Sequence, residues 1–285
     1  MISKSFSRLS MLAVCVSLFG CATPGGTDST PANDNMDAVL WLQNSTEYAA
    51  ATTGVYRSAT ATLREIANAE GDGTRSMAIV MDIDETVLDN SPYQGQLIFD
   101  DATYNGDSWD AWVALRAAVE VPGAVEFIRT SQSLGFHVVF ITNRPCRLRS
   151  GTSEDCPQAA DTLANLEDVG VDTSSTTLYL MGERPSDRCA AFLTEEEQDE
   201  GGVWSSDKTS RRECVSLDYE IVMLFGDQLG DFTELDAPSE ASGRDIAAEY
   251  AEHWGSSWFV LPNPTYGGWK PRDPAEKPSR LRGID

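Results

Sequence analysis

The chain has 285 residues, 41% of them hydrophobic and 23% charged, which suits a packed soluble core of one large domain or a domain with a substantial insertion. Its 21 Lys and Arg stand against 45 Asp and Glu, a formal net charge of −24. A field of that sign argues against nucleic-acid polymers as partners and obliges any site for a small phosphate ester to carry its own local positive charge.

Residues 1–20 read as a secretory signal peptide, with Lys4 and Arg8 as the basic start and LSMLAVCVSLFG as a short apolar run. That run is too short and wrongly flanked to span a membrane. It ends at Leu18-Phe19-Gly20-Cys21, which resembles a bacterial lipobox, although Phe19 is an uncommon occupant of that motif. Cys21 is therefore expected to be lipidated, with residues 21–36 forming a polar tether of the kind a membrane-anchored protein needs. Ordinary cleavage nearby, releasing a soluble periplasmic protein, is the alternative. Export implies an oxidising compartment, so Cys146, Cys156, Cys189 and Cys214 are expected to form two disulfides. Four cysteines allow three pairings; the nearest-neighbour one, Cys146 with Cys156 and Cys189 with Cys214, is the expectation. Zinc is poorly supported, since no CxxC occurs and the histidines are only His137 and His253.

Residues 37–70 are Ala-rich with apolar residues at helical spacing and stop at Gly71-Asp72-Gly73, which predicts a long helix or a helical pair. From Met77 the pattern changes. Short apolar runs (MAIVMDID, FHVVFITN, TTLYLMG, YEIVMLFGDQ, WFVLPNP) alternate with amphipathic segments such as PGAVEFIRTSQSLG and PQAADTLANLEDVG. Continuous apolar strands separated by helices predict an α/β fold with a doubly wound, mostly parallel sheet, whose ligands sit at the carboxyl ends of the strands. An insertion at 91–121 carries Tyr93, Tyr104, Trp109 and Trp112, and together with 37–70 is expected to make a smaller α-helical cap on a domain spanning 37–285. A second, acidic insertion runs from Gly182 to Ser206; its Glu195-Glu196-Glu197 reads as a solvated surface. The tail beyond Trp269 reads as loosely ordered.

The strand ends carry the chemistry. The first delivers Asp82 and Asp84, which an extended backbone would send to opposite faces unless the chain bends at once. The second ends in Thr142 and Asn143, a hydroxyl and an amide suited to phosphate oxygens. Lys208 and Arg211, three apart at a helix start, supply positive charge. The strand IVMLFGD delivers Asp227, and Asp231 follows. Three or four carboxylates with a cation and a hydroxyl at neighbouring strand ends describe a magnesium-dependent phosphoryl-transfer site, because Mg²⁺ favours a few carboxylates plus water and substrate phosphate. The ion would also explain why acids can crowd the end of a buried strand.

MDIDETVLDNSPY and GDQLGDF, extended by PGAVEF, ITNR and LPNPTYGGW, resemble the class C, DDDD-type bacterial lipoprotein acid phosphatases of the haloacid dehalogenase (HAD) superfamily. The resemblance implies a HAD-like Rossmannoid core and hydrolysis of phosphomonoesters, nucleoside 5′-monophosphates and aryl phosphates among them, at acid pH; with Ala22 after Cys21 it also implies an outer-membrane lipoprotein facing the periplasm or the cell surface. It implies Asp82 as nucleophile and Asp84 as general acid and base. For the metal it implies Asp82, the backbone carbonyl of Asp84, and Asp227, with Asp231 close by. Thr142 and Asn143 fall on its phosphate-binding motif, and either Lys208 or Arg211 on its basic one. Trp109 and Tyr266 match positions that sandwich an aromatic or nucleobase group; packing of the cap on the core is the other role open to them. Gln228 departs from the family's usual Asn. A sugar-phosphate phosphatase, a phosphotransferase, or a surface-binding lipoprotein with reduced catalysis on the same fold are the rival readings.

Overall fold

A computed structural model describes residues 33–234, 243–271 and 273–283. The expected signal peptide, Cys21 and nearly all of the tether lie outside the described residues. Among these, no helix is long and apolar enough to cross a membrane.

Helices α1 (Met36–Asn44) and α2 (Thr46–Glu70) break at Ser45, whose hydroxyl caps α2 by accepting from the Tyr48 amide at 3.0 Å. Strand β1 (Met77–Met81) follows. The first insertion comprises β2 (Leu88–Asp89), α3 (Ser91–Phe99), α4 (Gly106–Leu115) and β3 (Val119–Glu120), with β2 and β3 paired antiparallel. The chain continues through α5 (Ala124–Ser133), β4 (His137–Pro145), α6 (Pro157–Asp168) and β5 (Thr176–Met181). It then runs through α7 (Glu195–Asp199), α8 (Thr209–Val215), β6 (Glu220–Gly226), α9 (Gly243–Glu249), β7 (Trp258–Val260) and α10 (Lys277–Arg280).

Five strands form one sheet in the order β5-β4-β1-β6-β7, every neighbouring pair parallel. From β1 the chain fills one side with β4 and β5, then crosses to the other with β6 and β7, so the order reverses between β1 and β6. Loops diverge at such a point and leave a crevice at the carboxyl ends. Strand β1 is buried on both faces, which is why it reads as an unbroken apolar run. Ile79 and Met81 pack with Tyr56 and Leu63 of α2 and Phe127 of α5, whereas Ala78 and Val80 pack with Val215 of α8 and Phe232.

Three expectations are corrected. Segment 37–70 is not mainly cap: Tyr48, Thr52, Tyr56, Ala59 and Leu63 form one buried helical stripe, and Tyr56 stacks on Phe225 of the sheet. Burying a stripe of that kind contributes about 1.5–3 kcal/mol per large apolar side chain, so α2 forms a layer of the core. The helices of the first insertion, α3 and α4, share a small cluster of their own, Tyr93, Leu97, Trp109 and Val113. Arg149 ties it down, bonding Asp110 of α4 (2.6 Å) and Asp161 of α6 (2.8 Å). The second correction concerns the acidic run: Glu195 and Glu196 are exposed, but Glu197 has no exposed surface. Third, the tail is fastened, with Lys277 paired to Asp34 and Lys270 donating to the Thr265 carbonyl at 3.0 Å and to Asn35. The disulfides join Cys146 to Cys156 and Cys189 to Cys214, the nearest-neighbour pairing.

Candidate active site

The β1–β6 ladder reaches one residue past β1, the Asp82 amide donating to the Phe225 carbonyl at 2.9 Å. The chain then folds over at once. The Ile83 carbonyl accepts from the amides of Thr86, Val87 and Leu88 (3.3, 2.8 and 2.9 Å), and Glu85 sits in the left-handed region at φ 57°. This bend defeats strand alternation and lets both acids serve one crevice, where they meet different partners.

Asp82 receives the Lys208 ammonium at 2.5 Å, and the same ammonium lies 2.5 Å from Asp231. The other Asp231 oxygen accepts from the amides of Asp227 and Gln228 at 3.1 and 2.9 Å, folding that side chain back over the end of β6. Asn263, beyond β7, donates to Asp227 at 2.7 Å. Asp82, Asp227 and Asp231 each present an oxygen within 4.8 Å of the others. Burial, reinforced by Asp231 and Asp84, pushes Asp82 up to about 7 against the pull of Lys208. Burial and the charges of Asp231 and Asp82 push Asp227 well above the ordinary carboxylate range. Lys208 is buried too, which works against its charge, yet Asp231 and Asp82 together hold it firmly protonated. One ammonium among three carboxylates, Asp82 and Asp231 buried and Asp227 half-buried, leaves negative charge uncompensated, and an all-oxygen cluster fits a hard divalent cation.

The Asp84 side chain is not among those three carboxylates. It faces Arg144, whose guanidinium donates from Nη2 (2.8 Å) and Nε (3.1 Å) to Oδ1, with Asn90 adding a third bond at 2.9 Å. Thr142 is buried within β4, just before the irregularity that ends the strand; its hydroxyl accepts from the Arg144 amide (3.1 Å) and lies 3.5 Å from Asp84 Oδ2.

Other expected residues serve elsewhere. Arg211 and Asn143 do not face the acids. Arg211 is buried and bonds the carbonyls of Thr142 (2.7 Å), Ser205 (3.0 Å) and Asp207 (3.1 Å), and Asn143 Oδ1 (2.7 Å). The Asn143 amide group donates to the Ser206 carbonyl at 2.9 Å. Both hold the loop that carries Lys208, because a buried guanidinium must satisfy its donors on whatever acceptors lie around it. Trp109 is only 8% exposed, edge-on to Tyr93 at 5.2 Å and 5.7 Å from the Arg144 guanidinium, which is a packing role with little ring face for a ligand. Tyr266 is half-buried and donates its hydroxyl to Glu85, a buried carboxyl that burial and the charges of Asp84 and Asp227 push well above its ordinary range.

In the sequence Arg144, Asn90 and Asn263 have no assigned role, and Glu197 reads as solvated surface. ITNR and LPNP already contained two of them, but which side chain turns toward Asp84 or Asp227 depends on the bend after each strand.

The family model for HAD superfamily, subfamily IIIB (acid phosphatase) matches residues 27–269, and the chain belongs to that family. It is similar to the class C acid phosphatase from Bacillus anthracis, at 28% identity and a TM-score of 0.67 over 89% of this chain and 99% of that one. The structure of that enzyme with tungstate bound aligns over the same shares at a TM-score of 0.68. A stem 28 kDa glycoprotein of Glycine max is 28% identical over 189 residues, 66% of this chain but only 58% of that protein's length.

Proposed function

We propose that the chain is a Mg²⁺-dependent acid phosphatase that hydrolyses phosphomonoesters through an aspartyl-phosphate on Asp82. The observation that carries this reading is the separation of duties at the crevice: Asp82, Asp227 and Asp231 share a cluster within 4.8 Å that has Lys208 at its edge, whereas Asp84 stands apart on its own cation. Family membership and the tungstate-bound relative, tungstate being a tetrahedral oxyanion, support it.

Asp82, Asp227 and Asp231 would hold the ion, which supplies positive charge for the phosphoryl oxygens. Lys208 adds a fixed charge beside the nucleophile. Asp82 attacks phosphorus as the bond to the ester oxygen breaks, and that oxygen takes the proton of Asp84 to leave as an alcohol. Water then attacks the aspartyl-phosphate and gives its proton to Asp84, the bond from phosphorus to Asp82 breaks, and inorganic phosphate and the free carboxylate result. Thr142 would turn its hydroxyl, which lies 3.5 Å from Asp84 Oδ2, to donate to a phosphoryl oxygen.

Asp82→Asn and Asp84→Asn should each leave a folded protein with phosphate release down by about 10³-fold or more, and chelation followed by Mg²⁺ should abolish and restore wild-type activity. Near-normal turnover by Asp82→Asn would sink the covalent route. Aryl phosphates and nucleoside 5′-monophosphates are the expected esters. Base stacking can contribute about 1–3 kcal/mol, but a buried Trp109 forfeits most of it. Trp109→Ala should therefore lower turnover of nucleotides and of glycerol phosphate alike. We also propose lipidation of Cys21 and outer-membrane attachment; acyl labelling of wild type but not of Cys21→Ser, with membrane fractionation, tests it.

A further inference from the structure

A guanidinium as deeply buried as that of Arg144 (2% exposed) needs its donors answered and its charge opposed. Nη1 goes to the Thr162 hydroxyl of α6 at 2.9 Å. Nη2 and Nε go to Asp84, and the cationic plane lies 5.7 Å from the Trp109 ring of α4. Asn90, the third donor to Asp84, is itself fixed, its carbonyl oxygen accepting from Trp112 Nε1 at 2.8 Å.

The bonds to Asp84 are unequal. Oδ1 takes three close donors, Arg144 Nη2, Arg144 Nε and Asn90 Nδ2, at 2.8, 3.1 and 2.9 Å. Oδ2 has only Arg144 Nε at 3.3 Å and Thr142 Oγ1 at 3.5 Å. The side chain keeps 16% exposure, so it is open on one side. An oxygen already accepting three N–H groups has no lone pair left for a proton; the other does.

We infer that Arg144 is a positioning residue for the proton-transfer step: with Asn90 it saturates Oδ1 of Asp84, so that Oδ2 is the oxygen that delivers the proton to the leaving group and takes one back from water. Trp109 and Thr162 hold Arg144 in turn, so the cap and α6 reach the chemistry through it. The inference rests on the phosphatase reading. Its signature is dependence on the leaving group. An alkoxide cannot depart without the Asp84 proton, whereas p-nitrophenolate is stable enough to leave as the anion, so a misaligned Asp84 penalises alkyl esters selectively.

The test compares glycerol phosphate with p-nitrophenyl phosphate in the full-length protein carrying Arg144→Lys or Arg144→Gln, with a thermal melt of each variant. Arg144→Lys, which keeps the charge, should lose about 10- to 100-fold in kcat/KM on glycerol phosphate and no more than about threefold on p-nitrophenyl phosphate, because kcat/KM reports the steps up to departure of the leaving group and not the later water attack that both esters share. In an Asp84→Asn background the same substitution should add no further discrimination, because the residue acts through Asp84. Trp109→Leu should shift the ratio in the same direction by less. If Arg144→Gln does not fold, Arg144→Lys decides. Equal losses on both esters, no loss on either, or a discrimination that persists without Asp84 would each overturn the inference. A wild type inert toward both esters would overturn the phosphatase reading itself, and the inference with it.

Discussion

Gly226, the last residue of β6, shows how little room the acid cluster has. A Cβ there would lie 2.2 Å from both Cβ and Oδ2 of Asp231 and 2.4 Å from its Cγ. Asp231 cannot swing away, because the backbone amides of Asp227 and Gln228 and the Lys208 ammonium hold its two oxygens. Gly226→Ala should displace that carboxylate and weaken Mg²⁺ binding and kcat/KM by about 10- to 100-fold, as loss of groups supporting a metal ligand does. Calorimetric titration with Mg²⁺ alongside phosphate release checks it; unaltered metal affinity would show that the strand end yields. Gly54 supplies the contrast. It is exposed in the middle of α2, and a methyl group added there would meet nothing within 4 Å, so Gly54→Ala should raise stability by about 0.5–1 kcal/mol without touching activity.

At the scale of elements, the insertion between β5 and α8 is a scaffold for Lys208. Glu197 in α7 accepts from the Ser205 amide (2.8 Å), the Ser205 hydroxyl (3.0 Å) and the Ser210 hydroxyl (3.0 Å), and closes a capping box with Thr194. The disulfide from Cys189 to Cys214 ties the same insertion to α8, and Trp204 packs edge-on to Tyr179 of β5 at 4.8 Å. Glu197→Ala strands the buried Ser210 hydroxyl and the half-buried donors of Ser205 and should destabilise the protein by about 2–4 kcal/mol, lowering activity through a displaced Lys208. Glu195→Ala and Glu196→Ala should stay within about 0.5 kcal/mol. Urea titration of the three variants separates them; a uniform response would mean that Glu197 holds nothing.

For the molecule as a whole, the acid cluster couples stability to pH and, under the proposed function, to metal. In metal-free protein the carboxyls of Asp82 and Asp227 are raised, Asp82 to about 7. A raised carboxyl means that the folded state binds protons more tightly than the unfolded chain, so this stability is complete below the ordinary value of 3.8 and is lost as pH rises through about 7. Metal-free protein should therefore melt at a lower temperature at about pH 8 than at about pH 5, and Mg²⁺ should raise the melting temperature more at the higher pH, where the ligands are free of protons. Equal Mg²⁺ shifts at the two pH values would count against the cluster as the binding site.

The parallel sheet, the strand-end acids and the family were legible in the sequence because each is local. Burial on both faces imposes an unbroken apolar run on β1, and the motif acids follow that run within a few residues. The roles of Arg144, Arg211, Trp109 and Glu197 were not legible, since each depends on partners far along the chain: Arg144 meets Asp84, 60 residues away, and Arg211 meets Thr142, 69 residues away. A charged or aromatic side chain looks the same in sequence whether it faces water, a ligand or a buried countercharge. Only the tertiary structure decided that Glu197 is inside while its two neighbours are outside, because a single turn of α7 rotates one face onto Ser205 and Ser210 and leaves the other in solvent.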